Sequence, residues 1–255
     1  MNQTFPLRGC FVTGTDTEIG KTCVSAALLH WCAAQGWRSA GFKPVAAGTQ
    51  LIDGQRVNDD VRALRDAGSV RLTDDEVGPL QFEAACAPHI AAALENRAID
   101  GPALVQQARL LTQRADVLVV EGVGGFCVPL NQAWDTADLA QALGLPVILV
   151  VGLRLGCINH ALLTAEAIQR RGLKLAGWIG NTVDPAMIQA PATLATLQHE
   201  FTRRYQAPCL GQVPRLSAPD PAQVAAHLDG AALATLLGPR PLVPHQPQSA
   251  GRSAF

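Results

Sequence analysis

The feature that most limits what this chain can fold into is Gly14-Thr15-Asp16-Thr17-Glu18-Ile19-Gly20-Lys21-Thr22, a glycine-bearing turn set between two apolar runs. Before it, Cys10-Phe11-Val12-Thr13 reads as a short buried strand. After it, residues 21–35 read as a helix with Val24, Ala27, Leu28 and Trp31 on one face, stopped by Gly36. A strand that passes through such a turn into a helix start gathers backbone N–H groups into a cradle for phosphate oxygens. Lys21 is then placed to reach the β- and γ-phosphates, and the Thr22 hydroxyl to bind Mg²⁺. Five residues separate Gly14 from Gly20 where the generic pattern has four, so Thr15 stands at the first consensus glycine.

The rest of the chain repeats the strand-then-helix alternation. Residues 39–44, 117–120, 147–151 and 175–179 read as further strands, the middle two uninterrupted and β-branched as expected when both faces are covered. Helical patterns fall at 61–67, 102–114, 135–143, 158–171 and 192–205. The fold class predicted is α/β, a doubly wound, mostly parallel sheet with helices on both faces. Residues 1–238 are expected to form a single domain. The polar, turn-rich segment 51–83 is expected to supply loops and short helices over the active face. The Pro-, Gln- and Ser-rich stretch 239–255 is expected to be a disordered tail.

Composition narrows the partners. Lys plus Arg number 20 and Asp plus Glu 21, a formal net charge of −1, which gives no electrostatic case for nucleic acid or an anionic membrane. Seven scattered cysteines with no C-x-x-C pair argue against a disulfide framework or zinc, and point to a reducing cytoplasm. The start of the chain has no long apolar run of the signal-peptide kind, and the apolar stretch 143–155 is too interrupted to span a bilayer.

Several polar residues sit where a parallel sheet binds ligands, at the carboxyl ends of strands. Glu121 ends the third strand and opens Gly122-Val123-Gly124-Gly125, well placed to hold Mg²⁺. Lys43 ends the second strand and could neutralise a transferring phosphoryl group. Asn58-Asp59-Asp60 reads, from the residues alone, first as a cap for the following helix. The stretch Leu155-Gly156-Cys157-Ile158-Asn159-His160 opens a helix whose N–H groups favour an anion such as a carboxylate. Cys157 has no base or orienting partner beside it in the sequence, and His160 reads as a structural helix residue.

These stretches, with Gly41-Phe42-Lys43-Pro44-Val45 and Ala176-Gly177-Trp178-Ile179-Gly180-Asn181, resemble the dethiobiotin synthetase family over roughly residues 10–216. The extra loop residue is itself characteristic of that family. The resemblance implies a P-loop NTPase-like fold and ATP with Mg²⁺ as cofactors. It implies carboxylation and ring closure of 7,8-diaminopelargonate with CO₂ or bicarbonate, through a carbamate and a carbamic–phosphoric anhydride. It implies catalytic roles for Lys43, Lys21 and Thr17, and metal binding by Thr22, Asp60 and Glu121, which raises Asp60 above its capping role. Nucleotide contacts implied are Glu18, Ile19, Gly20, Lys21, Thr22, Cys23, Asp60, Glu121, Gly122, Val123, Gly124, Asn181, Thr182, Pro214, Arg215 and Leu216. Lys43 and Ala47 would contact the substrate. Its carboxylate would lie on Gly156, Cys157, Ile158 and Asn159 of a neighbouring subunit in a homodimer.

Two positions depart from the family pattern. Ala47 stands where members often carry Ser, and Ser217-Ala218-Pro219-Asp220-Pro221 holds no obvious counterpart of an acidic nucleotide contact. The competing reading is a nucleotide-switched partitioning or positioning ATPase of the same fold. Such proteins usually carry a second lysine early in the loop, where this chain has Thr15-Asp16-Thr17, and a basic or amphipathic tail for DNA or membrane.

Overall fold

The computed structural model describes residues 7–238, and the expectation of a disordered tail at 239–255 lies outside them. Along the chain β1 (Gly9–Gly14) leads to α1 (Lys21–Ala34), β2 (Ser39–Phe42), β3 (Val45–Ala47), β4 (Gln50–Ile52) and β5 (Gln55–Val57). There follow α2 (Asp59–Ala67), α3 (Asp74–Val77), β6 (Leu80–Phe82), α4 (Pro88–Leu94) and α5 (Gly101–Leu111). The remainder is β7 (Val117–Glu121), α6 (Thr136–Leu143), β8 (Val147–Leu153), α7 (Cys157–Arg170), β9 (Leu175–Thr182), α8 (Ala190–Tyr205), β10 (Cys209–Val213), α9 (Pro221–Ala225) and α10 (Gly230–Leu237).

Six strands form the central sheet in the order β10-β9-β8-β1-β7-β2, every pairing parallel. Every residue of β1, β7 and β8 is buried. That is why their sequences are apolar without alternation: successive side chains point to opposite faces, and both faces are covered. Phe11, Leu118 and Leu149 pack with Leu104, Leu139 and Ile168 of the helices on one side. Val12, Val119 and Ile148 pack with Val24, Leu28, Val61 and Leu64 on the other. The doubly wound α/β sheet expected from the sequence is therefore the fold observed.

β1 lies between β7 and β8; from it the chain crosses to the edge strand β2, returns inward through β7, and then passes over to β8, β9 and β10 on the other side. The carboxyl ends on either side of this switch point form the crevice where ligands of open α/β sheets bind. The phosphate loop, Lys43, Glu121 and the start of α7 all follow strands at that edge.

The structure also shows what periodicity did not. The second strand stops at Phe42 because the Lys43 N–H donates to Val77 O, 2.7 Å, and not to a strand. A sixth sheet strand, β10, pairs with β9. The segment expected to hold only loops and short helices contains α2 and α3, and also the β4–β5 hairpin and β6, which pairs in parallel with β3.

Candidate functional site

The phosphate loop is fixed at both ends. The Thr15 N–H donates to Val150 O of β8, 3.1 Å. Ile19 is 1% exposed and packs against Gly152. A Cβ at position 152 would stand 2.6 Å from Ile19 Cγ2, so this close approach needs glycine. Gly20 starts α1 in the left-handed region, φ 89°, and no side chain caps that helix. The first helical bond runs from Val24 N to Gly20 O, 3.0 Å, so the N–H groups of Lys21, Thr22 and Cys23 belong to the open first turn. Asn181, near the end of β9, donates to Ile19 O at 2.8 Å, and a Cβ at Gly20 would lie 2.2 Å from its Nδ2. Thr182 follows it, half-buried.

Lys21 is 6% exposed and its Nζ donates to Asp16 O, 2.7 Å. Burial, reinforced by the charge of Lys43, brings the Lys21 ammonium down to about 8 against the opposing pull of Glu121, Asp60 and Asp16. Thr17 and Glu18 are exposed at the top of the loop, Glu18 with a left-handed φ of 58°. The Thr17 N–H donates to Asp16 Oδ1, 2.8 Å.

Beneath the loop four side chains converge. Thr22 Oγ1 lies 2.6 Å from Asp60 Oδ1 and 2.8 Å from Glu121 Oε1. Lys43 Nζ lies 2.6 Å from Glu121 Oε1, 2.8 Å from Asp60 Oδ2 and 3.4 Å from Gly122 O. Lys43 is 2% exposed and Glu121 0%. Burial alone would lower the Lys43 ammonium, but Glu121 and Asp60 outweigh it and hold it above the ordinary lysine value. Burial would likewise raise Asp60, but Lys43 and Thr22 hold its carboxyl below the usual range.

Asp60 is free to do this because the cap belongs to its neighbour. The Asn58 side chain accepts from Val61 N, 3.2 Å, and starts α2. The capping role that the residues alone suggested for the Asn58-Asp59-Asp60 stretch thus falls on Asn58. Asn58 Nδ2 also donates to Gly48 O at 3.3 Å, which holds the turn after Ala47.

The donor set fits a hard divalent cation. It offers one hydroxyl and two carboxylates, oxygen ligands of the kind Mg²⁺ prefers alongside substrate phosphates. One Thr22 proton cannot serve both carboxylates, and Glu121 Oε2 is buried with no hydrogen-bond partner among the described residues. Unpaired acceptor capacity at a buried anion calls for further positive charge. Among the described residues there is no cluster of three or more His, Cys, Asp or Glu side chains that could hold a metal, so this hydroxyl-containing set is the candidate.

The glycine turn after Glu121 borders the same space. The Gly122 N–H donates to Val12 O, 2.9 Å, Val123 is half-buried, and a Cβ on Gly124 would stand 3.7 Å from Thr17 Oγ1. On the other side of the loop, Pro214 and Arg215 are exposed after β10, and Leu216 is half-buried against the core. A cavity of about 370 Å³ opens beside Thr22 and Cys23, walled by Asp66, Pro219 and Asp220. Asp220 brings a carboxylate to that wall while capping α9 through Gln223 N at 2.8 Å. The stretch that lacked an obvious acidic counterpart therefore carries an acid beside α1.

The start of α7 is different ground. Gly156 is left-handed, φ 91°, with no side-chain cap. The Cys157 N–H donates to Arg154 O, 3.0 Å, and its side chain packs into the core, which leaves the thiol no role in the cleft. The first helical bond runs from His160 N to Gly156 O, 3.3 Å, so the N–H groups of Ile158 and Asn159 belong to the open first turn. Asn159 and His160 are exposed. Arg154 forms an ion pair with Asp16, which ties this start to the phosphate loop. Sequence reading missed this tie. The two partners of the ion pair are 138 positions apart, and no local pattern relates them.

A family model described as an AAA domain matches residues 8–223. The ATP-dependent dethiobiotin synthetase BioD of Aromatoleum aromaticum is 55% identical over 222 residues, 87% of this chain and 96% of that protein. The protein of the same name from Ralstonia nicotianae is 54% identical over 224 residues, 88% of this chain and 96% of its own length. Among solved structures, the cell division ATPase MinD of Pyrococcus furiosus has a TM-score of 0.55 and 15% identity, covering 90% of this chain and 98% of that one. The MinC:MinD complex of Aquifex aeolicus gives 0.54 at 13% identity, covering 93% and 98%. At such identity the structural likeness concerns the fold alone.

Proposed function

The chain belongs to the dethiobiotin synthetase family, and from that premise we propose that it carboxylates 7,8-diaminopelargonate and closes the ring to dethiobiotin at the expense of ATP. One amine takes up CO₂ to give a carbamate. A carbamate oxygen attacks the γ-phosphorus, ADP leaves, and a carbamic–phosphoric anhydride forms. The second amine attacks the anhydride carbon, the C–O bond to phosphate breaks, and inorganic phosphate departs.

The observation that carries this reading is the buried convergence of Lys43, Asp60, Glu121 and Thr22 directly beneath the phosphate loop. The chemistry asks the protein for positioning and charge more than for covalent help. The N–H groups at the start of α1 cradle the phosphates. Lys21 and Lys43 stabilise charge on the transferring phosphoryl group, and Thr17 reaches into the same space from the loop. Thr22, Asp60 and Glu121 would hold Mg²⁺, which when bound adds Lewis-acid charge at the phosphate oxygens. Asn181 contacts the adenine, with Pro214, Arg215 and Leu216 beside it. Ala47 offers the substrate backbone in place of a hydroxyl.

The substrate carboxylate sits on the open first turn of α7 from a neighbouring subunit, in a cytoplasmic homodimer. Leu155, 94% exposed just before that turn, supports a second surface there. A monomeric mass by gel filtration at assay concentration would remove this shared site. The reaction itself is tested by following ATP hydrolysis with and without diamine and bicarbonate, with products identified by mass spectrometry. Hydrolysis that needs neither, with no ring-closed product, refutes the assignment.

A further inference from the structure

Lys43 does more in this structure than point at a phosphate. Its ammonium is the positive charge that pairs with Glu121 Oε1 and Asp60 Oδ2, at 2.6 and 2.8 Å. Glu121 is completely buried, and a buried carboxylate left without a counter-charge is costly. Lys43 and Thr22 meet on Glu121 Oε1 and take the two different oxygens of Asp60, so the ammonium holds the same two carboxylates that, with Thr22, make the cation cradle.

We propose that Lys43 is an internal competitor of the divalent cation: the ammonium and the metal draw on the same two carboxylates, and metal binding releases Lys43 toward the phosphoryl group. The inference rests on the assignment of Thr22, Asp60 and Glu121 as metal holders. Three features support it. Thr22 Oγ1 and Lys43 Nζ both contact Glu121 Oε1, so that oxygen has no capacity to spare for a third strong partner without loosening one of them. Glu121 Oε2 stands buried and unpartnered beside them, so a cation drawn to it sets a second positive charge against the Lys43 ammonium on the same carboxylate. And Lys43 lies just past the last residue of β2, with its N–H on Val77 O, so a change in the partners of its side chain costs the sheet no hydrogen bond. Two ligands that share one charge partner are coupled negatively, so removing one tightens the other by the same free energy. The consequence is an ordered site: Lys43 keeps Asp60 and Glu121 neutralised and in place, and becomes available for catalysis only when metal takes over that task.

The chain contains three lysines, Lys21, Lys43 and Lys174, the last exposed ahead of β9, so lysine-selective isotope labelling gives a readable spectrum of the full-length enzyme. Titration with Mg²⁺ without nucleotide is expected to shift the Lys43 side-chain resonance and leave Lys174 still, with Lys174→Arg serving for assignment. In parallel, Mn²⁺ binding followed by electron paramagnetic resonance is expected to be about ten-fold tighter or more in Lys43→Met than in wild type. Glu121→Gln is expected to abolish it. A Lys43 resonance unmoved at saturating metal overturns the proposal, as does Mn²⁺ affinity no higher in Lys43→Met. Binding that survives Glu121→Gln also overturns it, since the ion then sits elsewhere. If Lys43→Met does not fold, the wild-type titration decides alone. Ring closure by an enzyme whose Lys43 never moves would sink this inference and leave the reaction standing.

Discussion

The start of α1 and the start of α7 are built on one device and finished in opposite ways. Each helix begins at a left-handed glycine, Gly20 at φ 89° and Gly156 at φ 91°, and neither has a side-chain cap. Around Gly20 the chain closes in: Asn181 presses on it, Ile19 is buried beneath, and Lys21 is nearly so. Around Gly156 a Cβ would meet nothing within 4 Å. An uncapped helix start is a ready anion site in either place. Only the first is completed by this chain. The second is completed, on the proposed function, by another subunit and the substrate carboxylate.

The comparison can be broken by substitution, and the largest effects belong at the closed end. Lys21→Ala removes the one lysine of the loop. Turnover is expected to fall by about 10³-fold, in the range of losing a dedicated charge stabiliser. Near-normal turnover would mean that the loop does not serve the reaction. Lys43→Ala is expected to lower kcat by about 10²-fold, since on the proposed function its charge is felt most in the transition state. A change confined to KM would assign it to uniform binding.

The two glycines give the most direct contrast. Ala at either position takes on left-handed strain of about 1–2 kcal/mol. At Gly20 it also displaces the Asn181 amide from Ile19 O, a further loss of about 1 kcal/mol. Urea unfolding should therefore show Gly20→Ala as the less stable variant, with weakened ATP binding. Gly156→Ala should raise KM for the diamine and spare that for ATP. Equal destabilisation, or an ATP defect in Gly156→Ala, would erase the distinction. The smallest effect is expected from Arg154→Met. Its ion pair with Asp16 is partly exposed, so stability should drop by less than about 1 kcal/mol. Any rise in KM for the diamine would show that the tie between the two ends carries function.

The same contrast explains how much could be read beforehand. β1, the loop and α1 are contiguous, so their arrangement is written in neighbouring residues. Lys43 and Glu121 were legible because each ends a strand that its apolar run announces. Asp60 was ambiguous because a cap and a charge partner look alike in sequence. Only the packing of α2 against α1 shows that Asn58 takes the cap and Asp60 meets Thr22 and Lys43. β10, Cys209-Leu210-Gly211-Gln212-Val213, carries a glycine and no strong alternation, and becomes a strand through pairing with β9. β3 and β6 are three residues each, too short to display a period. The Arg154–Asp16 pair exists only because β8 and the phosphate loop meet at the same sheet edge.

The central claim is that a carbamate oxygen is phosphorylated and then expelled as the ring closes. Bicarbonate labelled with heavy oxygen tests it most directly. With diamine and ATP present, mass spectrometry of the released phosphate should find one label for each dethiobiotin formed, because the bridging oxygen leaves with phosphorus. Unlabelled phosphate, produced at the same rate without diamine, would mean that water is the acceptor and that this chain hydrolyses ATP without closing a ring.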